Sequence, residues 1–297
     1  MPPILLALCS NISFATASLL YTEYARRISS SWMNYYKAVI AFLGFATVTL
    51  VLNLATPLPW QSMVLLSASG ILGLLIGDIF MLKAFTHLGS GRVLMLFGFQ
   101  PLLLGAASFY LFDQDFPWVR LVAVLLLIGC VLSFSLESFR QKGHWDLPGL
   151  GYAVLAVTLD GVGLLLTKAS FEANQDLSPF YANVFRSGVT VLGFLMISLI
   201  PWFRLSLLAP LKTLTFKERW TVSGAAFLGT FMSLGFYLMA MKHGHLATIS
   251  AVAGTSPLFA SLFEIVTGRK KMTPYLGAGI TFFIAGMLTL IFTNSLV

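Results

Sequence analysis

Residues 73–102 read GLLIGDIFMLKAFTHLGSGRVLMLFGFQPL, and residues 229–258 read GTFMSLGFYLMAMKHGHLATISAVAGTSPL. A slide of 156 residues lays one on the other. Gly73 then meets Gly229, Phe80 meets Phe236, Leu82 meets Leu238 and Ala84 meets Ala240. His87 meets His243, Gly98 meets Gly254, Pro101 meets Pro257 and Leu102 meets Leu258. Both copies are apolar enough to lie in a bilayer. A duplicated membrane chain is a common basis for alternating access, in which two repeats rock around a site near the bilayer midplane.

The composition bounds the class. Of 297 residues, 58% are hydrophobic and 10% are charged. A soluble domain carries about 25% charged residues, so this chain lacks the polar surface that water would demand. The bilayer is its solvent. Cys9 and Cys130 both sit in apolar runs, which predicts neither a disulfide framework nor a metal cluster. The formal charge of +7 is carried in short connections and reads as a topology signal, not a nucleic-acid surface. Residues 1–20 are apolar but lack a basic start and a convincing cleavage site, so they read as a spanning helix.

A spanning helix needs about 20 mostly apolar residues. Ten segments qualify: 3–22, 34–53, 62–86, 92–112, 118–138, 148–170, 179–201, 220–241, 247–267 and 274–293. The expectation is an all-α membrane protein of ten transmembrane helices in two inverted five-helix repeats, residues 1–138 and 148–297, joined by a loop at 139–147. Five is odd, so the second copy enters the membrane from the opposite side. The odd-numbered connections hold twelve of the basic residues outside helices, against three (Arg120, Lys168 and Lys242) in the even-numbered ones. The positive-inside rule then places the odd connections in the cytoplasm and both termini outside.

Ionisable groups are expensive at membrane depth, by about 2.5–3.5 kcal/mol at the centre on insertion scales, and face a cavity or a partner. Lys37, Asp78, Lys83, Asp160 and Arg186 lie well inside the apolar segments. Asp160, flanked by Gly161 and Gly163, reads either as a substrate-amine or proton site or as a buried partner of Arg186. Asp78 and Lys83 are five residues apart and do not share a helix face, so one faces the cavity and Lys83 is expected to snorkel. Lys37 and Arg186 occupy similar places in the two copies. Either could grip a carboxylate or phosphate, or pair structurally with Glu23, Asp160 or a helix-end carbonyl. Tyr237 is a candidate for the pathway by its repeat position. Pro101 and Pro257 interrupt matched helices and are candidate hinges. No nucleotide, metal or nucleophile motif is visible, which predicts a non-enzyme without cofactor.

The duplication, the helix count and these local features resemble the drug/metabolite transporter superfamily, in its EamA-type branch. The residues that carry the likeness are the Gly-rich third helix of each copy running to an alanine (Gly73 to Ala84, Gly229 to Ala240), the turn after it, and the proline in the next helix. Lys168, Pro179 and Arg186 add the lysine, proline and arginine pattern of the second copy. Phe112-Asp113 and Gly268-Arg269 stand where the family often has Gly-Glu. The resemblance implies termini in the cytoplasm, opposite to the charge distribution. It implies a secondary transporter, exporter or facilitator, of a small polar or amphipathic metabolite such as an amino acid. The alternative is a lipid-carrier flippase or scramblase with Lys37 or Arg186 on a headgroup phosphate. The expected partners are a small-molecule substrate and membrane lipids, without nucleic acid, and the expected unit is a monomer or homodimer. The expected location is a bacterial cytoplasmic membrane.

Overall fold

The structure is a computed structural model. It describes residues 2–112, 120–142, 146–200, 206, 208–244, 249, 252, 253, 256, 259, 263, 265, 266, 268 and 272–295. Its long helices are α1 (Pro3–Arg27), α2 (Ser30–Val51), α3 (Trp60–Leu88) and α4, which runs Ser90–Leu96, a 3-10 turn Phe97–Phe99 and Gln100–Phe112. They continue as α5 (Arg120–Lys142), α6 (Leu147–Ala173), α7 (Pro179–Ser198), α8 (Phe216–His243) and α9 (Pro274–Ser295). No strand occurs among the described residues. Seven of these segments are long and apolar enough to cross a membrane: α1, α2, α3, Ser90–Ala107 of α4, α6, α7 and α8. The expected span at 247–267 lies largely outside the described residues, and the positions described there, such as Ile249, Val252 and Ser256, are helical. Residues 139–142, expected in the central loop, are instead helical, because α5 runs on to Lys142.

Local chemistry sets the helix starts. Ser29 and Ser178 cap α2 and α7, accepting from the backbone N–H of Trp32 and Phe180. Asp146 caps α6 through Gly149 N, with Pro148 in the first turn. Thr215 and Glu218 form a reciprocal capping box on α8. Gly89 turns the chain between α3 and α4 with φ of 85°, a left-handed conformation open to glycine.

The packing repeats the duplication. α1 packs on α8, and α6 packs on α3; exchanging the two halves turns one pair into the other. α2 packs on α7 and α5 on α9, each pair mapping onto itself. Close backbone approach is built into the first two interfaces. A Cβ on Gly163 would stand 3.1 Å from the Gly73 Cα, and one on Gly229 would stand 2.2 Å from the Ala17 Cβ. The large apolar side chains left outside, including Leu50, Trp60, Leu125 and Leu199, form the surface that lipid covers.

Two wide turns interrupt the long helices at matched places. Residues Gly70–Gly77 of α3 and Phe227–Met232 of α8 are π-helical. A π turn frees backbone carbonyls, and neighbouring helices supply the donors. Asn34 on α2 donates from Nδ2 to the Leu74 and Leu75 carbonyls at 2.9 and 3.1 Å. Thr190 on α7 donates to the Gly70 carbonyl at 3.1 Å. In the second half Tyr21 on α1 donates to the Ala225 carbonyl at 3.1 Å and lies 2.7 Å from Thr230 Oγ1. The candidate hinges at the prolines lie elsewhere: Pro101 stands two residues after the 3-10 turn Phe97–Phe99, as the second residue of Gln100–Phe112, and Pro257 lies outside the described residues.

Candidate functional site

A cavity of about 120 Å³ lies between the two halves. Polar residues reach it from α1 (Ser10, Asn11), α2 (Lys37), α3 (Asp78), α4 (Gln100) and α6 (Asp160). Thr230, Ser233 and Tyr237 of α8 and Ser256 complete the polar lining, and Phe14, Leu74, Met81, Phe97 and Leu164 supply apolar wall. The volume leaves room for several waters or a small metabolite.

Two polar pairs face each other across this space. Gln100 Nε2 donates to Asp160 Oδ2 at 2.6 Å. Ser256 Oγ donates to Asn11 Oδ1 at 2.7 Å. Gln100 and Ser256 are repeat equivalents, 156 residues apart. Gly163 packs on Gly73 as Ala17 packs on Gly229, which sets α6 on α1 at an offset of 146 residues and leaves Asp160 about one helical turn from the position that matches Asn11. Asn11 also donates to the Val252 carbonyl at 2.5 Å, and Ser10 shares a 3.1 Å hydrogen bond with Ser233. These bonds tie α1 to the second half.

The charges are distributed unevenly. Lys37 Nζ pairs with Asp78 Oδ2 at 2.5 Å and lies 5.5 Å from the centroid of the Tyr21 ring. Both partners are buried. The repeat equivalent of Asp78 is Leu234, so only the first half carries this ion pair. Asp160 makes no ion pair among the described residues and presents its carboxylate to the cavity. Arg186 is fully buried and stands behind the cavity wall, outside the lining. Its Nε donates to Ser69 Oγ at 2.9 Å and its Nη1 to Asn183 Oδ1 at 3.3 Å, while Nη2 has no hydrogen-bond partner among the described residues. The direct Asp160–Arg186 pair weighed from sequence is not formed; Ser69 on α3, which packs against both α6 and α7, accepts from the guanidinium instead. The Lys37–Asp78 pair, which the sequence analysis did not single out, is formed.

Of the residues singled out from sequence, Asp160, Asp78, Lys37 and Tyr237 are brought together and Arg186 is held in the next layer. Lys83 points elsewhere, with its Nζ 5.5 Å from the Tyr152 ring centroid and 5.8 Å from that of Phe80. Sequence reasoning missed Asn11, Gln100 and Ser256. Uncharged amides and hydroxyls raise no alarm in an apolar run.

A duplicated, multi-pass helical bundle with a polar cavity at its internal two-fold defines a membrane carrier architecture. The EamA-like transporter family matches residues 1–136 and 147–292. The chain belongs to that family of membrane transporters and is an integral, multi-pass membrane protein. A solved crystal structure shares the fold with a TM-score of 0.74 at 15% identity, covering 98% of this chain and 96% of that one. No curated protein matches the sequence.

Proposed function

We propose that this transporter carries a small polar or amphipathic metabolite bearing an ammonium group, such as an amino acid, across a bacterial cytoplasmic membrane. The observation that carries the reading is Asp160: a carboxylate in the cavity wall with one neutral partner, Gln100, and no ion pair among the described residues. A carboxylate at membrane depth is costly unless water, a proton or a cation solvates it. An entering ammonium supplies that solvation, and the hydroxyls of Thr230, Ser233, Tyr237 and Ser256 with the amides of Asn11 and Gln100 can accept from or donate to the rest of the molecule. The carrier alternates access by rocking α1 and α8 against α3 and α6. The wide turns at Gly70–Gly77 and Phe227–Met232 are where α3 and α8 flex, and Pro101 and Pro257 are the candidate hinges of the segments that follow them.

Purified protein in proteoliposomes, offered a panel of labelled amino acids beside a labelled phospholipid, tests this. Protein-dependent amino-acid flux is expected. Lipid translocation with no flux of any amino acid would reject the reading in favour of a flippase.

A further inference from the structure

Arg186 and Asp160 both border the space in front of Gly73. A Cβ placed on Gly73 would lie 3.7 Å from Asp160 Oδ1 and 3.8 Å from Arg186 Nη2. Among the described residues neither atom has a hydrogen-bond partner: Oδ1 is the carboxylate oxygen that Gln100 does not hold, and Nη2 is the guanidinium nitrogen left over. A Cβ at residue 73 would touch both, so the glycine leaves open a space that both border. Their attraction is poorly screened at this depth. The other charged groups at the site, Lys37 and Asp78, satisfy each other.

We infer that Asp160 is a shared carboxylate, its charge balanced at a distance by the Arg186 guanidinium beside Gly73 when no substrate is bound, and given over to the substrate's ammonium group when one is. This rests on the reading of Asp160 as the ammonium site. Arg186 is then a positioning residue. It never touches the substrate; it competes with it, and so returns the cavity to a neutral state after release. The arrangement gives the empty carrier a way to cross the membrane without an uncompensated carboxylate, which is what a transport cycle needs on its return leg. Glycine at position 73 is part of the device, because a larger side chain would occupy the space that both groups border.

The test does not need the natural substrate. A hydrophobic carbodiimide adds to protonated membrane carboxyls and spares ion-paired ones. Full-length protein in detergent is treated with the reagent, and adducts at Asp160 and Asp78 are counted by mass spectrometry. The variants are Gly73→Ala and Arg186→Gln. The methyl of Gly73→Ala meets its neighbours only at ordinary van der Waals distance, so this variant keeps both charges and the packing while filling the space that both groups border. Labelling of Asp160 is expected to rise at least about threefold in both variants, since a carboxylate deprived of its cation takes a proton instead. Asp78, paired with Lys37, serves as the internal reference. Ethylammonium chloride is expected to protect Asp160 of Gly73→Ala more than sodium chloride does at equal ionic strength. Equal Asp160 labelling in wild type and Gly73→Ala overturns the competition, as does protection by sodium chloride as strong as by ethylammonium. Should Arg186→Gln fail to fold, Gly73→Ala alone decides. Failure of amino-acid flux in proteoliposomes would reject the substrate class while leaving the labelling result standing.

Discussion

Lys37 and Asp78 show how a single side chain is tolerated at membrane depth. Each is buried, each is charged, and each is accommodated because the other is 2.5 Å away. Removing one partner leaves a bare charge, which costs about 3–5 kcal/mol, whereas replacing both by apolar residues of similar volume is often neutral. Lys37→Met and Asp78→Leu are each expected to lower the thermal unfolding midpoint in detergent, and the double variant to recover most of it. The second half already carries leucine at the matched position, Leu234. A double variant no better than the worse single one would show that the pair has other indispensable contacts. Asp160 behaves differently because its partner is neutral. Asp160→Asn keeps the volume and an oxygen for Gln100, so folded yield is expected to stay near normal while flux in proteoliposomes falls at least about tenfold, the loss of one charge-assisted contact. Full flux by Asp160→Asn protein would remove this residue from the substrate site.

At the scale of the element, matched glycines do different work. Gly73 leaves ordinary room for a methyl, but a Cβ on its repeat equivalent Gly229 would stand 2.2 Å from the Ala17 Cβ and 2.7 Å from the Tyr21 hydroxyl. Gly229→Ala forces α8 off α1, and overpacking of this kind costs about 1–3 kcal/mol. Gly224, five residues earlier, has nothing within 4 Å of its Cβ position, so Gly224→Ala is expected to be neutral or slightly stabilising through helix propensity. Comparing the two midpoints checks this; equal values would mean that α1 and α8 separate without cost. The wide turns make a second demand. Asn34→Leu leaves the Leu74 and Leu75 carbonyls without their donor, an expected loss of about 1–3 kcal/mol. An unchanged unfolding midpoint would show that the π segment satisfies itself.

Over the whole molecule, side-chain contacts gather the odd-numbered connections on one face. Arg26 donates to the Phe85 and Thr86 carbonyls, Arg27 pairs with Glu218, His87 meets Asp146 at 3.1 Å, and Arg140 stacks on Tyr275. On the other face Lys242 donates to the Leu177 carbonyl at 2.9 Å. Among the described residues, the basic side chains Arg26, Arg27 and Arg140 of the odd-numbered connections thus lie on one side of the fold and Lys242 on the other. If the positive-inside rule governs this chain, that face is cytoplasmic and both termini lie outside. A reporter fused after Val297 that is active only in the cytoplasm is then expected to be silent, and an active one would show that the family's usual orientation prevails.

Membrane class, duplication and the sidedness of the connections were legible in the sequence because each is a sum over many residues, or a match along one line. Hydropathy adds up within a segment, and an odd number of spans per copy turns the second copy over whatever the packing. The shortlist of buried charges was legible too, since cost at membrane depth depends on residue type. Which of them meet was not. Lys37 finds Asp78 rather than Glu23, and Arg186 and Asp160 both border the space in front of Gly73 without touching, because partners are chosen by helix crossing and by the rotation of each helix about its axis. The wide turns at Gly70–Gly77 and Phe227–Met232 were equally hidden, since no residue type marks them and their freed carbonyls are satisfied by α1, α2 and α7. Sequence decided what had to be buried; the tertiary structure decided against what.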